Sequence, residues 1–371
     1  MKKVLINTAV LCARFVNLFF KPLRIRDKVV IISRQADEPT LDIRMLNDEL
    51  VNINIETAVL TKKLNKSIKG MISYMMHLIS QMYHINTARV VVLDGYCILV
   101  SILPKKQEQA VVQIWHALGA VKKFGWQNIE RPDGHSRDVA EAMKMHKNYD
   151  YVLAPSNTTG NIFAEAFRVP EDKIVLCGLP RIDFIRSFDE GAKEMVITAY
   201  PSIAEKTNVL YVPTFRRNSE LSLEKLIAGF DFDEFNLIIK KHFLDKGDYS
   251  WAEKAGAIVD TRFSSLEWLR ICEKIVTDYS AIAFEAAILD KDIYIYQPDA
   301  DKYENNVGLN IILKEECISD YVCNTEEDLF EKLKEPYDRD SVIEFRKKYI
   351  GINTGDCTGQ LCEFITGLMH K

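Results

Sequence analysis

The sequence predicts an α/β protein built from two doubly wound halves. Three observations carry that expectation. Short apolar runs rich in Val and Ile, such as Lys28 to Ser33 (KVVIIS) and Arg89 to Asp94 (RVVVLD), alternate with segments of helical spacing. Runs that are apolar at every residue belong to strands of a parallel sheet covered on both faces. The same plan recurs in the second half, and 371 residues is a length that suits two ordinary domains better than one. Two such halves facing each other would bring their carboxyl strand ends, where ligands bind, across one cleft.

The first stretch, Val4 to Phe20, is largely apolar but interrupted by Asn7, Arg14 and Asn17. It is short for a membrane span and carries a charge in its middle. Lys2, Lys3, Arg14, Lys21, Arg24, Arg26 and Lys28 surround Leu11, Phe15, Leu18, Phe19 and Phe20. That mixture suits a helix lying in the headgroup region of an anionic membrane. Residues 1–27 are therefore expected to form a membrane-associating amphipathic helix.

Further strands are expected at Ile55 to Leu60, Ala110 to Trp115, Tyr151 to Ala154 and Ile174 to Cys177, with helices at Glu38 to Asn52, Ser67 to Tyr83 and from Ser156-Asn157 to Ala166. Met71, Met75, Met76, Ile79 and Met82 on the second of these helices suit core packing, with a membrane contact as the other reading beside Lys62, Lys63 and Lys66. Turn residues at Gly178 to Asp183 mark the domain boundary, giving a first domain at 28–185 and a second at 186–371, with Phe184 to Tyr200 as the link. The second half reads as strands Asn208 to Val212, Asn236 to Lys240, Ala257 to Val259, Lys274 to Val276 and Ile293 to Tyr296. Helices are expected around Leu221 to Ala228, at Ser265 to Ile271 and at Phe284 to Leu289. The last helical stretch, Gly359 to Met369, is expected to cross back and brace the first domain.

Composition narrows the function classes. A hydrophobic content of 47% and a charged content of 27% describe a folded globular chain, and a net charge of −5 supplies no basic field for nucleic acid. The eight cysteines show no CxxC or CxxH pairing, which points to reduced core thiols in a cytoplasmic protein and away from zinc. No GxGxxG comes after the first strand and no GxxxxGK[ST] occurs, so dinucleotide and P-loop readings fall away. Asp231 with Asp233 and Asp299 with Asp301 form Asp-x-Asp pairs, but in charged stretches typical of a solvated surface. No metal or other cofactor is expected.

The candidate site is assembled from residues just past the carboxyl end of each strand. After Val112 to Trp115 stands His116, then Ala117-Leu118-Gly119 and Lys122-Lys123. A histidine there can accept a proton near neutral pH, although a purely structural interface histidine is an equal reading of this stretch alone. After Leu210 to Val212 come Thr214, Arg216 and Arg217, a hydroxyl and two guanidiniums that suit phosphate oxygens. After Leu237 to Lys240 come Lys241 and His242. The polar turn Thr277-Asp278-Tyr279-Ser280 lies between a strand ending at Val276 and an apolar helix. By itself it reads as a helix cap; beside the other strand ends it reads as an anion site at a helix start. His116, Arg216, His242 and Ser280 come from four strand ends of two sheets, the arrangement expected of a diphosphate-bearing donor with a base from the first domain. Without a metal, cationic side chains and helix N-termini must offset the leaving-group charge.

In order along the chain stand WHALGAVKKFG (Trp115 to Gly125), GLPRID (Gly178 to Asp183), YVPTFR (Tyr211 to Arg216), IIKKH (Ile238 to His242), VTDYSAIAFEAA (Val276 to Ala287) and YENNVGLN (Tyr303 to Asn310). This ordered set resembles the CDP-glycerol glycerophosphotransferase family, the primases and polymerases of wall teichoic acid. The resemblance implies two Rossmann-like domains of the glycosyltransferase B kind, bound peripherally to the cytoplasmic face of the cell membrane. It implies transfer of a polyol phosphate from a CDP-activated donor to a hydroxyl of a lipid-linked saccharide or teichoic acid acceptor, releasing CMP. His116 would then be the base, with His242 and Arg216 on the diphosphate and Thr277, Asp278 and Ser280 lining the donor pocket. Gly119, Lys122, Arg181, Thr214 and Tyr279 complete the expected substrate-binding set. Ala117-Leu118-Gly119 after His116, Phe243 after His242 and the Leu179 and Ile182 variations depart from the family pattern. They keep the ionisable groups and leave glycerol, the favoured polyol, and ribitol both open. The lack of the extra N-terminal region carried by many polymerases of the family points to a short product. A UDP-sugar glycosyltransferase or epimerase on the same fold, and a non-catalytic membrane scaffold, are the competing readings. The second should have lost the histidines and the Asp-Tyr-Ser turn, which are present.

Overall fold

The computed structural model describes residues 2–65, 67–187, 190–214, 223–241, 245, 247–351 and 355–370. It divides into two compact units. Unit 1 takes Met1–Leu118, Lys123–Asp183 and Gly351–Lys371, and unit 2 takes Gly119–Lys122 and Phe184–Ile350.

Unit 1 is built on six parallel strands: β1 (Arg26–Ser33), β2 (Glu56–Thr61), β3 (Ala88–Leu93), β4 (Ala110–Gln113), β5 (Tyr151–Ala154) and β6 (Ile174–Leu176). Their order is β2-β1-β3-β4-β5-β6. Val29 to Ile32 and Val90 to Leu93 are at most 2% exposed, which explains why these strands read as unbroken apolar runs. Each such side chain contributes roughly 2 kcal/mol by leaving water. β4 stops before the expected Trp115 because that residue takes a left-handed conformation (φ 58°), turning the chain out of the sheet.

The helices follow their apolar stripes. Helix Leu41–Asn52 buries Ile43, Leu46 and Leu50 at helical spacing. Helix Asn157–Phe167 is capped by Ser156, whose hydroxyl accepts from the Thr159 amide at 3.1 Å. Helix Cys357–Met369 packs on helix Leu41–Asn52 and on β3, with Leu361, Ile365 and Leu368 buried. Asp183 holds its first turn, accepting from the Cys357 and Thr358 amides at 2.8 and 2.7 Å. Residues 351–371 thus belong to unit 1, which corrects the 186–371 range expected for the second domain. The apolar stripe of this helix is matched by that of helix Leu41–Asn52, and the chain returns to reach it.

The N-terminal helix, Lys2–Asn17, contacts helices Arg137–Ala142 and Ile98–Ile102 of unit 1. Its outer side leaves Leu5, Leu11 and Phe15 64–73% exposed, and Leu18 and Phe19 just beyond are 58% and 72% exposed. The Met-rich helix runs Ile68–Thr87 and exposes Met71, Ile72, Met75 and Met76, while Tyr74, Met82 and Ile85 face the core. Only Met82 among its methionines is buried, so the expected core stripe is corrected to a largely outward one. Among the described residues no helix is long and apolar enough to cross a membrane.

Unit 2 repeats the plan with β7 (Thr207–Val212), β8 (Phe235–Ile239), β9 (Ile258–Val259), β10 (Lys274–Thr277), β11 (Asp292–Tyr296) and β12 (Val322–Cys323), all parallel, in the order β12-β11-β10-β7-β8-β9. One face is filled by Val209, Leu237, Tyr294, Leu329 and their neighbours. Phe284 stacks on Phe345 from helix Arg339–Tyr349 at 5.4 Å between ring centroids. The expected link Phe184 to Tyr200 is not a simple connection, because Glu190–Ala199 is helical and buries Val196. Helices Glu326–Lys334 and Arg339–Tyr349 fill a stretch where no element was expected from the sequence. Thr325 and Asp338 cap them, so their starts carried the usual signal.

Candidate functional site

In unit 1 the carboxyl ends of β1, β3 and β4 bring Ser33, Asp94 and His116 together. Gln113 prepares the turn: its side-chain amide donates to the Gly95 carbonyl at 3.0 Å and its oxygen accepts from the Trp115 amide at 2.9 Å. Trp115 stacks on Phe124 at 4.7 Å, and its ring centroid lies 4.0 Å from that of His116. His116 Nδ1 lies 2.9 Å from the Asp94 carbonyl oxygen and 3.1 Å from the Gln35 side-chain amide. A backbone carbonyl can only accept, so Nδ1 carries the proton and Nε2 carries the lone pair. Gln35 satisfies that arrangement when its amide oxygen faces the ring. The half-buried histidine is thus oriented as a general base requires.

The Asp94 carboxylate lies inward of this. Ser33 Oγ donates to its Oδ2 at 2.7 Å, and the Gln35 amide donates to Ser33 Oγ at 3.1 Å. Burial pushes the Asp94 carboxyl up to about 6, against the opposing pull of the Ser33 bond. Arg181 is engaged by Asp42 of helix Leu41–Asn52. Its amide donates to Asp42 Oδ1 at 2.8 Å and its guanidinium to Oδ2 at 2.9 and 2.5 Å. The pair is largely buried, with side-chain exposures of 15% and 2%. The guanidinium fastens helix Leu41–Asn52 to the chain after β6.

In unit 2 the ends of β7 and β10 meet at Asp278. Its carboxylate accepts from the Thr214 amide at 2.9 and 3.1 Å and from the Tyr279 amide at 2.6 Å. Thr277 Oγ1 donates to the Val212 carbonyl at 2.8 Å. Tyr279 is fully buried, stacked on Tyr303 at 3.8 Å, with its hydroxyl donating to Asp299 Oδ1 at 3.3 Å. The side chains of Thr277, Asp278 and Tyr279 are therefore bonded within unit 2 and buried. Asp278 does not cap the helix; the Ile282 amide donates to Ser280 Oγ at 3.4 Å, and the helix runs Ile282–Ile288. Ser280 alone of the four is partly exposed.

The segment Gly119–Lys122, three residues beyond His116, belongs to unit 2. A Cβ on Gly119 would lie 2.6 Å from Phe284 Cε2, so only glycine allows this close approach to the ring. Lys122 bridges Leu309 in antiparallel fashion, the Asn310 amide donates to the Val121 carbonyl at 2.8 Å, and the Asn310 side chain donates to the Lys122 carbonyl at 3.0 Å. Two motifs 188 residues apart are thereby joined in one unit. Arg216 and His242 lie outside the described residues. Asp231 accepts from Lys334 at 2.6 Å and Asp299 from Tyr279, and no cluster of His, Cys, Asp and Glu fit for a metal occurs among the described residues.

Residues 16–367 match the family described as CDP-glycerol:poly(glycerophosphate) glycerophosphotransferase. The chain belongs to this family. It is 30% identical over 289 residues to the teichoic acid ribitol-phosphate primase of Bacillus spizizenii, covering 75% of this chain and 74% of that protein. It is 28% identical over 302 residues to the teichoic acid glycerol-phosphate primase of Bacillus subtilis, covering 79% and 77%. The fold matches the wall teichoic acid polymerase TagF with a TM-score of 0.74 at 17% identity, over 100% of this chain and 97% of that one. The two six-stranded sheets are thus those of the glycosyltransferase B kind, and the chain is a transferase of the CDP-polyol phosphotransferase family.

For this glycerophosphotransferase-family chain, sequence reasoning passed over Ser33, Gln35, Asp42 and Asp94. Ser33 and Asp94 carried a usable signal, since each is the polar residue that follows an apolar run, Val29 to Ile32 and Val90 to Leu93. Gln35 and Asp42 carried none, because nothing local distinguishes a loop glutamine or a first-turn aspartate that serves a distant partner.

Proposed function

We propose that this chain transfers glycerol phosphate from CDP-glycerol to a hydroxyl of a lipid-linked acceptor in teichoic acid synthesis, at the cytoplasmic face of the membrane. The observation that carries the reading is His116, whose Nδ1 proton is committed to the Asp94 carbonyl. Nε2 then takes the acceptor proton as the acceptor oxygen attacks the phosphorus that bears the glycerol. The bond from that phosphorus to the bridging oxygen breaks, and CMP leaves with the electron pair. Ser280 and Lys122 bind the donor diphosphate, with Arg216 and His242 offsetting the charge of the departing CMP; no metal takes part.

The membrane half of the reading is supported by the exposed Leu11, Phe15, Leu18 and Phe19 beside Arg14, Lys21 and Arg24. Apolar and cationic side chains together on the N-terminal helix and the turn after it suit an anionic bilayer surface. The likeness to a ribitol-phosphate primase supports a second reading in which CDP-ribitol is the donor.

The experiment measures nucleotide release in the presence of a lipid-linked acceptor, CMP from CDP-glycerol or CDP-ribitol and UDP from a UDP-sugar. CMP release with CDP-glycerol above that with CDP-ribitol is expected, and the reverse order selects the second reading. His116→Ala should lower the rate by about 10² to 10⁴, the usual contribution of a positioned base. An undiminished rate would sink the base assignment. Thermal stabilisation by UDP-sugars alone would sink the donor assignment. Deleting residues 2–22 should release the chain from vesicles rich in anionic lipid, and retained binding would refute the membrane-helix reading.

A further inference from the structure

Unit 1 holds a concavity of about 380 Å³ that shares no residue with the surroundings of His116. Its walls are the N-terminal helix and the turn after it, residues 101–104, and the loop 144–148. Arg14, Lys21, Lys144 and Lys147 line it, and among the described residues neither an Asp nor a Glu does.

The fold maintains this cluster of like charges with specific bonds. Arg14 Nε donates to the Ile102 carbonyl at 3.1 Å, fixing the guanidinium against the wall. The Asn148 side chain donates to the Val100 and Leu103 carbonyls at 2.8 and 3.1 Å, fixing the opposite loop. In that loop Lys144, His146 and Asn148 all have positive φ (47°, 60° and 73°), a conformation that side chains resist. The loop is thus held in a shape that its local preferences oppose. Burial, with Arg14 and Lys147 nearby, holds the Lys144 ammonium below its usual pKa. Four cations drawn together without a carboxylate lining the same space suit an anion that presents several acceptor oxygens, as a phosphoryl group does.

The surroundings choose between sources of that group. Leu18 lines the same concavity and is 58% exposed, and Leu11 and Phe15 of the N-terminal helix and Phe19 of the turn after it are 64–72% exposed. A dissolved phosphate makes no use of such a rim. A phospholipid uses both, its headgroup in the concavity and its acyl layer against the apolar side chains.

We infer that this concavity is a headgroup site for an anionic phospholipid, whose phosphoryl oxygens are held by Arg14, Lys21, Lys144 and Lys147. The inference rests on the proposed membrane association and adds a discrete site to it. Its consequence is a chain that favours phosphate-bearing lipid over a merely negative surface.

The test is co-sedimentation with vesicles of phosphatidylglycerol in phosphatidylcholine. Lys144→Gln/Lys147→Gln should weaken binding about 25-fold, at about fivefold for each interfacial cation removed. Lys225→Gln/Lys254→Gln removes two exposed cations of unit 2, outside the concavity and the N-terminal segment, and should weaken it less than about threefold, below the effect of one interfacial cation. Thermal unfolding of each variant shows that it has folded, and Arg14→Gln offers a second route should the lysine pair fail that check. Equal losses from both pairs, or none from the pocket pair, would overturn the site and leave membrane association standing. If the wild-type chain does not sediment, both fall. Inorganic phosphate is the second probe: stabilisation by phosphate without vesicles, abolished in the lysine pair, would assign the concavity to a soluble anion and overturn the lipid assignment.

Discussion

The Asp278 carboxylate accepts from the Thr214 amide at 2.9 Å, joining the ends of β10 and β7 through one buried side chain. The same carboxylate takes the Tyr279 amide at 2.6 Å. Asp278→Ala leaves two inward-facing N–H groups without this acceptor and should cost about 3 kcal/mol, since each lost bond to a charged group is worth about 1.5–3 kcal/mol. Asp278→Asn keeps one accepting oxygen and should cost about half as much. Urea unfolding of the three proteins measures this. Equal midpoints would show that the carboxylate is not what ties the strand ends.

Gly119 should tolerate no side chain. An alanine Cβ there would meet Phe284 at 2.6 Å, and Phe284 is fully buried against Phe345 and Tyr349. Gly119→Ala is expected to destabilise by about 1–3 kcal/mol, the range for overpacking. Adding Phe284→Leu makes room for the methyl, so the double variant should lose less than the two single losses summed. Strict additivity in the double-mutant cycle would show that the contact does not govern the choice of glycine.

Both sheets were legible in the sequence because a strand buried on both faces marks every residue, as Val29 to Ile32 and Ile293 to Tyr296 do. His116 was legible for a related reason, as a polar residue just past such a run. A charge in a turn, such as Arg181 or Asp278, looks the same in the sequence whether it serves a ligand or the fold. Their partners, Asp42 and Thr214, lie 139 and 64 residues away. The outward face of the Met-rich helix was misread because the amphipathic spacing of Ile68–Thr87 fixes that one side is apolar, and Met suits a core and a surface groove alike. The expected return of helix Cys357–Met369 to unit 1 is found, and it ends the second unit at Ile350.

The Arg181–Asp42 pair makes a sharper stability test than a surface ion pair. With Asp42 only 2% exposed, Asp42→Ala leaves the guanidinium without its partner and should cost about 3–5 kcal/mol. Asp42→Leu with Arg181→Met removes both charges and should recover most of that loss, because two apolar groups need no desolvation. The comparison is made by chemical unfolding at one pH. A double variant as unstable as Asp42→Ala would show that the Arg181 backbone bond to Asp42, and not the charge pair, is what the fold requires.

Asp94 makes stability depend on pH in a definite direction. Its folded-state pKa is raised to about 6, first by burial, above the usual carboxylate value. The folded chain therefore holds this proton more tightly than the unfolded chain. The resulting stabilisation is fully present below about pH 4 and is lost as the pH rises through about 6. The gap between the two pKa values corresponds to about 3 kcal/mol. Asp94→Asn cannot ionise and keeps an oxygen to accept from Ser33, so it should match the wild type near pH 4 and exceed its stability by roughly 2–3 kcal/mol at pH 7.5. Urea unfolding of both proteins at the two pH values measures the difference. A difference that stays constant between them would mean that the Asp94 carboxyl does not titrate in this window and that the Ser33 bond, which favours the ionised form, outweighs burial.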